Sequence, residues 1–142
     1  MSNIIKIYLA GPCAFEEDEG RGWREQAVKM LEQAAEWKGV QIQVINPIDF
    51  FTYSEPKHKN HKQVKSFYMH QIKKCDVVLC NLNRTKTSCG TAQEVQFAVD
   101  HDVPVIGFGT EEIYPWLGDV DCEVTFDSLL SAVDYCRDYY FH

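Results

Sequence analysis

Much that would reveal a function directly is missing from these 142 residues, and each absence closes off a class of function. No apolar run approaches the roughly 18 residues that a membrane span needs, so no membrane association is expected. Neither G-x-x-x-x-G-K nor G-x-G-x-x-G occurs, which leaves ATP or NAD use without motif support. None of the six cysteines, at positions 13, 75, 80, 89, 122 and 136, forms a C-x-x-C pair. The histidines are scattered, and His58-x-x-His61 lies in a lysine-rich stretch that reads as solvated. We therefore expect no metal and no cofactor. Positive charge is also short: the net charge is −7, so an overall basic surface for a nucleic-acid polymer is absent. The opening residues MSNIIKIYLAG carry one lysine and a short apolar run without a small-residue cleavage site. They read as a first strand, not a signal peptide. Reduced, mostly buried thiols in a cytoplasmic protein are the corresponding expectation.

What is present is the composition of a globular protein, 45% hydrophobic and 25% charged, in a length suited to one core. One domain over 1–142 is expected. Strand-like and helix-like segments alternate along it. Ile4-Ile5-Lys6-Ile7-Tyr8-Leu9 is β-branched and mostly apolar, as a central parallel strand should be, and Ala10-Gly11-Pro12 turns it. A helical pattern follows over 22–38, closed by Gly39. Strands are read at 40–45, 76–82, 103–108 and, short, at 122–125. Further helices are read at about 63–74, from the Thr91 region onward, and after Asp127 as N-cap. Residues 53–62 and 114–118 read as loops. This alternation, with no repeat and no linker, predicts a doubly wound, five-stranded parallel α/β sheet. The common order for five strands is 2-1-3-4-5, with its switch point between strands one and three.

Ligands bind such sheets beyond the carboxyl ends of the strands, at the switch point. The loops that meet there are Ala10–Phe15 and Asn81–Glu94. The second runs into Thr87-Ser-Cys-Gly-Thr-Ala-Gln-Glu94-Val-Gln-Phe97, with Ala92, Val95 and Val99 at helical spacing. Glu94 has two readings. Thr91-x-x-Glu94 matches a capping box, and a glutamate there, taken alone, is more often a cap than a nucleophile. In the cleft, however, a carboxylate in the first helical turn stays ionised beside the helix dipole. It could then attack an electron-poor centre such as the anomeric carbon of a sugar. Tyr8, at the end of strand one, is close enough to orient it. Ser88, Gly90 and Thr91 could bind a hydroxyl or phosphate oxygen. The charge pattern allows an anionic ligand: eight of the 14 lysines and arginines fall between Lys57 and Lys86, where Asp76 is the only acid. The plainer reading is a solvated helix coated in lysine.

Four short motifs in order then carry a resemblance. Tyr8-Leu9-Ala10-Gly11-Pro12, Asn46-Pro47-x-Asp49, Cys75-Asp76-Val77-Val78 and Gly90-Thr91-Ala92-x-Glu94 resemble the nucleoside 2-deoxyribosyltransferase family, over 4–109 and more weakly beyond. The resemblance implies a flavodoxin-like fold and Glu94 as the nucleophile toward C1′ of a deoxynucleoside, with Tyr8 as its orienter. It also implies a deoxynucleoside or deoxynucleotide and a free nucleobase as small-molecule partners, and homo-oligomers built on dimers whose neighbours help close each pocket. The aromatic tail Tyr139-Tyr140-Phe141-His142 is a candidate for that closure. Gly11, Phe15, Asp49, Phe50, Tyr68, Ser88 and Gly90 are the expected substrate-binding residues. Two positions depart from the transferase pattern. Tyr68 stands where those enzymes carry an aspartate that assists the leaving base, and Ser88 stands where an acid often holds the sugar 5′-hydroxyl. A serine there is similar to the related 2′-deoxynucleoside 5′-phosphate N-hydrolases, with Arg84 and Lys86 nearby. Transfer to a second base is the leading expectation. Hydrolysis of a monophosphate and a non-catalytic nucleotide-binding module are the alternatives. Trp23-Arg24 is read as helix packing.

Overall fold

The computed structural model describes residues 4–13, 18, 20–49 and 60–142. Five strands, β1 (Ile4–Ala10), β2 (Gln41–Ile45), β3 (Val77–Asn81), β4 (Val105–Phe108) and β5 (Val124–Phe126), form one sheet. Every neighbouring pair is parallel, in the order β2-β1-β3-β4-β5. Four helices connect or follow them: α1 (Arg21–Lys38), α2 (His61–Lys73), α3 (Cys89–Asp100) and α4 (Leu129–Tyr140). The expected fold class and strand order are those observed. None of the helices is long and apolar enough to cross a membrane, among the described residues.

Side-chain alternation along β1 divides the core. Ile5, Ile7 and Leu9 point to one face, where Ala27 and Leu31 of α1 and Ala132, Val133 and Cys136 of α4 cover them. Tyr8 and Ala10 point to the other, against Ile72 of α2 and Val95 and Ala98 of α3. This period of two is what sends Tyr8 to the α2–α3 side. β3 is buried at all five positions, as a central strand covered on both faces requires. It pairs with β1 so that Tyr8 lies opposite Val78 and Ala10 opposite Cys80.

Local expectations needed correction at several ends. In α3 the inward stripe is Thr91, Val95 and Ala98, while Val99 is exposed; of the predicted 92-95-99 stripe only Val95 is fully buried. α4 is capped by Ser128, whose side chain accepts from the Ser131 N–H, and not by Asp127. The segment read as a loop at 114–118 instead opens a wide helical turn, Trp116–Asp121. Pro115 immediately precedes it, where a missing N–H costs nothing. The aromatic tail does not hang free: Phe141 is fully buried in the α1–α4 core, and the Tyr140 hydroxyl donates to Glu123.

Candidate active site

The site is built where β1 and β3 end. Asn81, the last residue of β3, lies against Gly11 just after β1. A Cβ on Gly11 would sit 3.0 Å from both Asn81 Cβ and Trp23 Cζ2, so only glycine lets the two loops approach this closely. The chain then passes through a single 3-10 turn, Thr85–Thr87, tied down by the Thr85 hydroxyl donating to the Leu82 carbonyl. From there it enters α3 at Cys89. Ser88 is the cap residue, yet its hydroxyl meets Thr91 Oγ1 at 2.6 Å and makes no cap bond to the backbone.

Because α3 begins two residues before Thr91, Glu94 falls in the second turn and the capping box does not form. Its carboxylate is instead the acceptor for the Tyr8 hydroxyl. Gly90 lies one turn earlier on the same helix face. It is exposed, and nothing approaches within 4 Å of where its Cβ would be. That face is therefore open beside a half-buried carboxylate.

The electrostatics differ from expectation. In the second turn Glu94 lacks the free N–H groups that favour an ionised carboxylate. Burial pushes it from an ordinary 4.5 to about 7, against the downward pull of the Tyr8 hydrogen bond and of the Arg24 charge. Tyr8, with none of its surface exposed, is held well above the usual phenol range, by burial first and by Glu94 next. It therefore stays protonated and donates. At neutral pH the pair is poised between a protonated and an ionised carboxyl.

The other expected residues are placed as follows. Tyr68, on α2, packs edge-on against Tyr8 with ring centroids 6.5 Å apart. Its hydroxyl donates to the Pro47 carbonyl at 3.0 Å, which ties α2 to the one-turn helix Pro47–Asp49 after β2. Asp49 is exposed at the end of that turn. Phe15 and Phe50 lie outside the described residues, as does 53–59 of the expected loop. Arg84 is in a left-handed conformation and forms an exposed ion pair with Glu111 at 3.2 Å, so its charge is shared with a carboxylate.

Two residues named in the sequence reading, Asn46 in a motif and Arg24 as packing, have surroundings near the site that it did not foresee. Asn46, at the end of β2, buries a side-chain oxygen with no hydrogen-bond partner. Arg24, read as helix packing with Trp23, is only 1% exposed and donates to the carbonyls of Gly11 at 3.0 Å and Gly20 at 3.2 Å. A signal for it was available, because Arg24, Ala27, Leu31 and Ala34 form one helical stripe. A charge in register with buried positions is not a solvated one. Trp23 does pack, edge-on to Phe108 at 5.5 Å. On the α1–α4 face a separate cavity of about 260 Å³ is lined by Trp23, Gln26, Asn81, Asn83 and Phe108, among others. Its asparagine oxygens are spent on loop N–H groups: Asn81 on Asn83, and Asn83 on Thr110 and Glu111.

A family model described as nucleoside 2-deoxyribosyltransferase matches residues 7–125. Among solved structures, a 2-deoxyribosyltransferase from Bacillus psychrosaccharolyticus aligns with TM-score 0.64 and 23% identity, over 92% of this chain and 91% of that one. The 2-deoxyribosyltransferase of Leishmania mexicana gives 0.67 and 20%, over 96% and 99%. A CMP N-glycosidase from Clostridium botulinum gives 0.56 and 17%, over 94% and 99%. At such identities these likenesses are of fold. No curated protein matches the sequence.

Proposed function

Because the chain belongs to the nucleoside 2-deoxyribosyltransferase family, we propose that it cleaves the N-glycosidic bond of 2′-deoxynucleosides and passes the sugar to another base. The observation that carries this reading is the Tyr8 hydroxyl bonded to the Glu94 carboxylate at the sheet's switch point, beside the open face at Gly90. In the proposed reaction the ionised Glu94 oxygen attacks C1′, and the C1′–N bond breaks with its electron pair leaving on the base. The departing base takes up a proton. A glycosyl ester on Glu94 results. A ring nitrogen of a second base then attacks C1′ from the opposite side, gives up its N–H proton to solvent or to the group that protonated the first base, and releases the carboxylate. Tyr8 fixes which carboxylate oxygen faces the sugar, and its neutral phenol stabilises the ionised form. Tyr68 borders the same space through its contact with Tyr8, but its hydroxyl is held by Pro47. Asp49, water or a neighbouring copy then remains to protonate the base.

A second reading has its own support in the start of α3. Ser88 and the exposed Gly90 present a hydroxyl and a helix N-terminus, a suitable seat for a phosphate. On that reading the substrate is a deoxynucleoside monophosphate and water is the acceptor. One experiment separates the possibilities: incubation with deoxynucleosides and their monophosphates, with and without free base, followed by chromatography. Base exchange between thymidine and adenine is the expected result. Release of deoxyribose phosphate without added base would favour the hydrolase. Glu94→Gln should abolish either activity and the glycosylated Glu94 peptide seen by mass spectrometry. Turnover unchanged in that variant would remove the mechanism, and wild-type binding without turnover would point to a non-catalytic module.

A further inference from the structure

The cavity of about 260 Å³ on the α1–α4 face is chemically one-sided. Alternation along β3 sends Leu79 and Asn81 to this face and Cys80 to the side of Tyr8 and Glu94, so the cavity and the Glu94 carboxylate lie toward opposite faces of the sheet. Asn81 is 6% exposed, and its side-chain oxygen accepts from the Asn83 N–H at 3.0 Å. The Asn83 oxygen accepts in turn from the N–H groups of Thr110 at 2.9 Å and Glu111 at 3.0 Å. A backbone N–H can only donate, so these bonds fix which end of each amide is oxygen. Both NH2 groups are left over, and neither donates to another described residue. Unused donors on a buried amide are costly unless something accepts from them. The apolar wall is Trp23 and Phe108, edge-on with ring centroids 5.5 Å apart. The Trp23 indole N–H is itself buried without a partner, so Trp23 offers the cavity its ring and not its donor.

We propose that this cavity is a second small-molecule site, separate from the Glu94 cleft, and that it takes a neutral planar ring bearing carbonyl oxygens next to ring N–H groups, with the carbonyls accepting from the Asn81 and Asn83 NH2 groups. The charges at its edge favour a neutral ligand over an anion. Asp18 borders the cavity as an exposed carboxylate, its oxygens accepting from the N–H groups of Gly20 and Gly22 at 2.9 Å. Each of those oxygens keeps a further lone pair, which suits a ring N–H and repels an oxyanion. Arg84, the one cation among the described lining residues, is already paired with Glu111 at 3.2 Å. The volume is below the range of drug-sized pockets and fits a single or fused ring. A flat ring can lie against the indole of Trp23 or the edge of Phe108 while its rim meets the amides. The proposal stands apart from the reaction described above, since nothing in it requires turnover.

The test is side-chain 1H–15N NMR of the full chain titrated with uracil, adenine and inorganic phosphate. The NH2 signals are assigned by their loss in Asn81→Asp and Asn83→Asp, which keep the oxygens that hold the loop and remove the donors. Uracil, with two ring carbonyls, should shift both NH2 pairs along one saturable curve. Adenine, equally flat but without a carbonyl, should bind there at least about tenfold more weakly, and phosphate should leave these signals in place. Either aspartate variant should weaken uracil binding by about tenfold or more. Gln26→Trp, at an exposed position of α1 on the cavity wall, should block it by bulk alone. Uracil that shifts only the Ser88 and Gly90 amides occupies the Glu94 cleft and overturns the proposal, as does an equal or stronger response of the asparagine signals to adenine or phosphate. If circular dichroism shows Asn81→Asp unfolded, Asn83→Asp and Gln26→Trp decide, and uracil binding at wild-type strength in both overturns it. A wild type without turnover would refute the proposed reaction and leave this site standing.

Discussion

At the scale of single residues, Glu94 carries a cost that follows from its surroundings. The folded state keeps this carboxyl protonated up to about pH 7, whereas an ordinary value is 4.5. Between those values the native state binds more protons than the unfolded chain, so stability falls as pH rises across the window. Below pH 4.5 the penalty is absent, and above pH 7 it is complete. Its size, from the linkage relation, is about 3 kcal/mol. Glu94→Gln removes the charge and keeps the shape. It should leave stability at pH 4 nearly unchanged and raise the unfolding free energy at pH 8 by about that amount. Urea denaturation of both proteins at the two pH values measures it. Equal stability of the two proteins at pH 8 would show that the carboxylate is better hydrated than its burial indicates. A catalytic role makes such a penalty intelligible, since a group retained against stability is the kind that function maintains.

At the scale of elements, sequence pattern specified some features and missed others for identifiable reasons. β1 and β3 were legible because continuous β-branched and apolar runs have few alternatives, and Tyr8 was singled out by its place at the end of strand one. The start of α3 was misplaced because Ser88 and Thr91 are both hydroxyl residues suited to capping, three positions apart. The choice between them was made by the 3-10 turn at Thr85–Thr87 and its anchoring to Leu82, which are tertiary matters. Arg24 was read as helix packing, and it is buried; its bonds to the Gly11 and Gly20 carbonyls were not legible because they depend on how two loops meet in the fold. The β1–α1 loop gives this scale its own prediction. At φ 77, and with the Pro12 carbonyl oxygen 2.7 Å and Arg24 Nη1 2.3 Å from an added Cβ, Gly20 tolerates no side chain. Gly20→Ala should destabilise by at least about 2 kcal/mol, from backbone strain and displaced contacts together. Gly39 is also left-handed, but nothing lies within 4 Å of its Cβ position. Gly39→Ala should therefore cost only about 1 kcal/mol, from the backbone alone. Comparing the two by thermal denaturation isolates the crowding around Arg24, and equal losses would mean that this clamp is slack.

At the scale of the whole molecule, the two faces of the sheet do different work. The α2–α3 face carries Tyr8, Tyr68 and Glu94, with polar groups among its buried residues, while the α1–α4 face is apolar apart from Arg24 at one end of the α1 stripe and Asn81 at the end of β3, and is completed by Phe141. The tail was a candidate for helping to close a neighbouring subunit's pocket. In the fold its Phe141 ring is instead a core side chain with no exposed surface, next to α4, whose last turn its N–H joins through the Cys136 carbonyl. These two placements predict different behaviour on truncation. A side chain that seals its own core should cost about 3 to 5 kcal/mol on Phe141→Ala, the range for emptying a buried aromatic site, and the loss should not depend on protein concentration. A side chain that serves a neighbour should leave the dilute protein's stability intact and weaken association instead. Thermal unfolding of Phe141→Ala over a hundredfold range of concentration, alongside sedimentation velocity, distinguishes them. A stability loss that disappears on dilution would move the tail back to the interface. A constant loss leaves any contact between copies to exposed side chains such as Trp37, Trp116 and Tyr139.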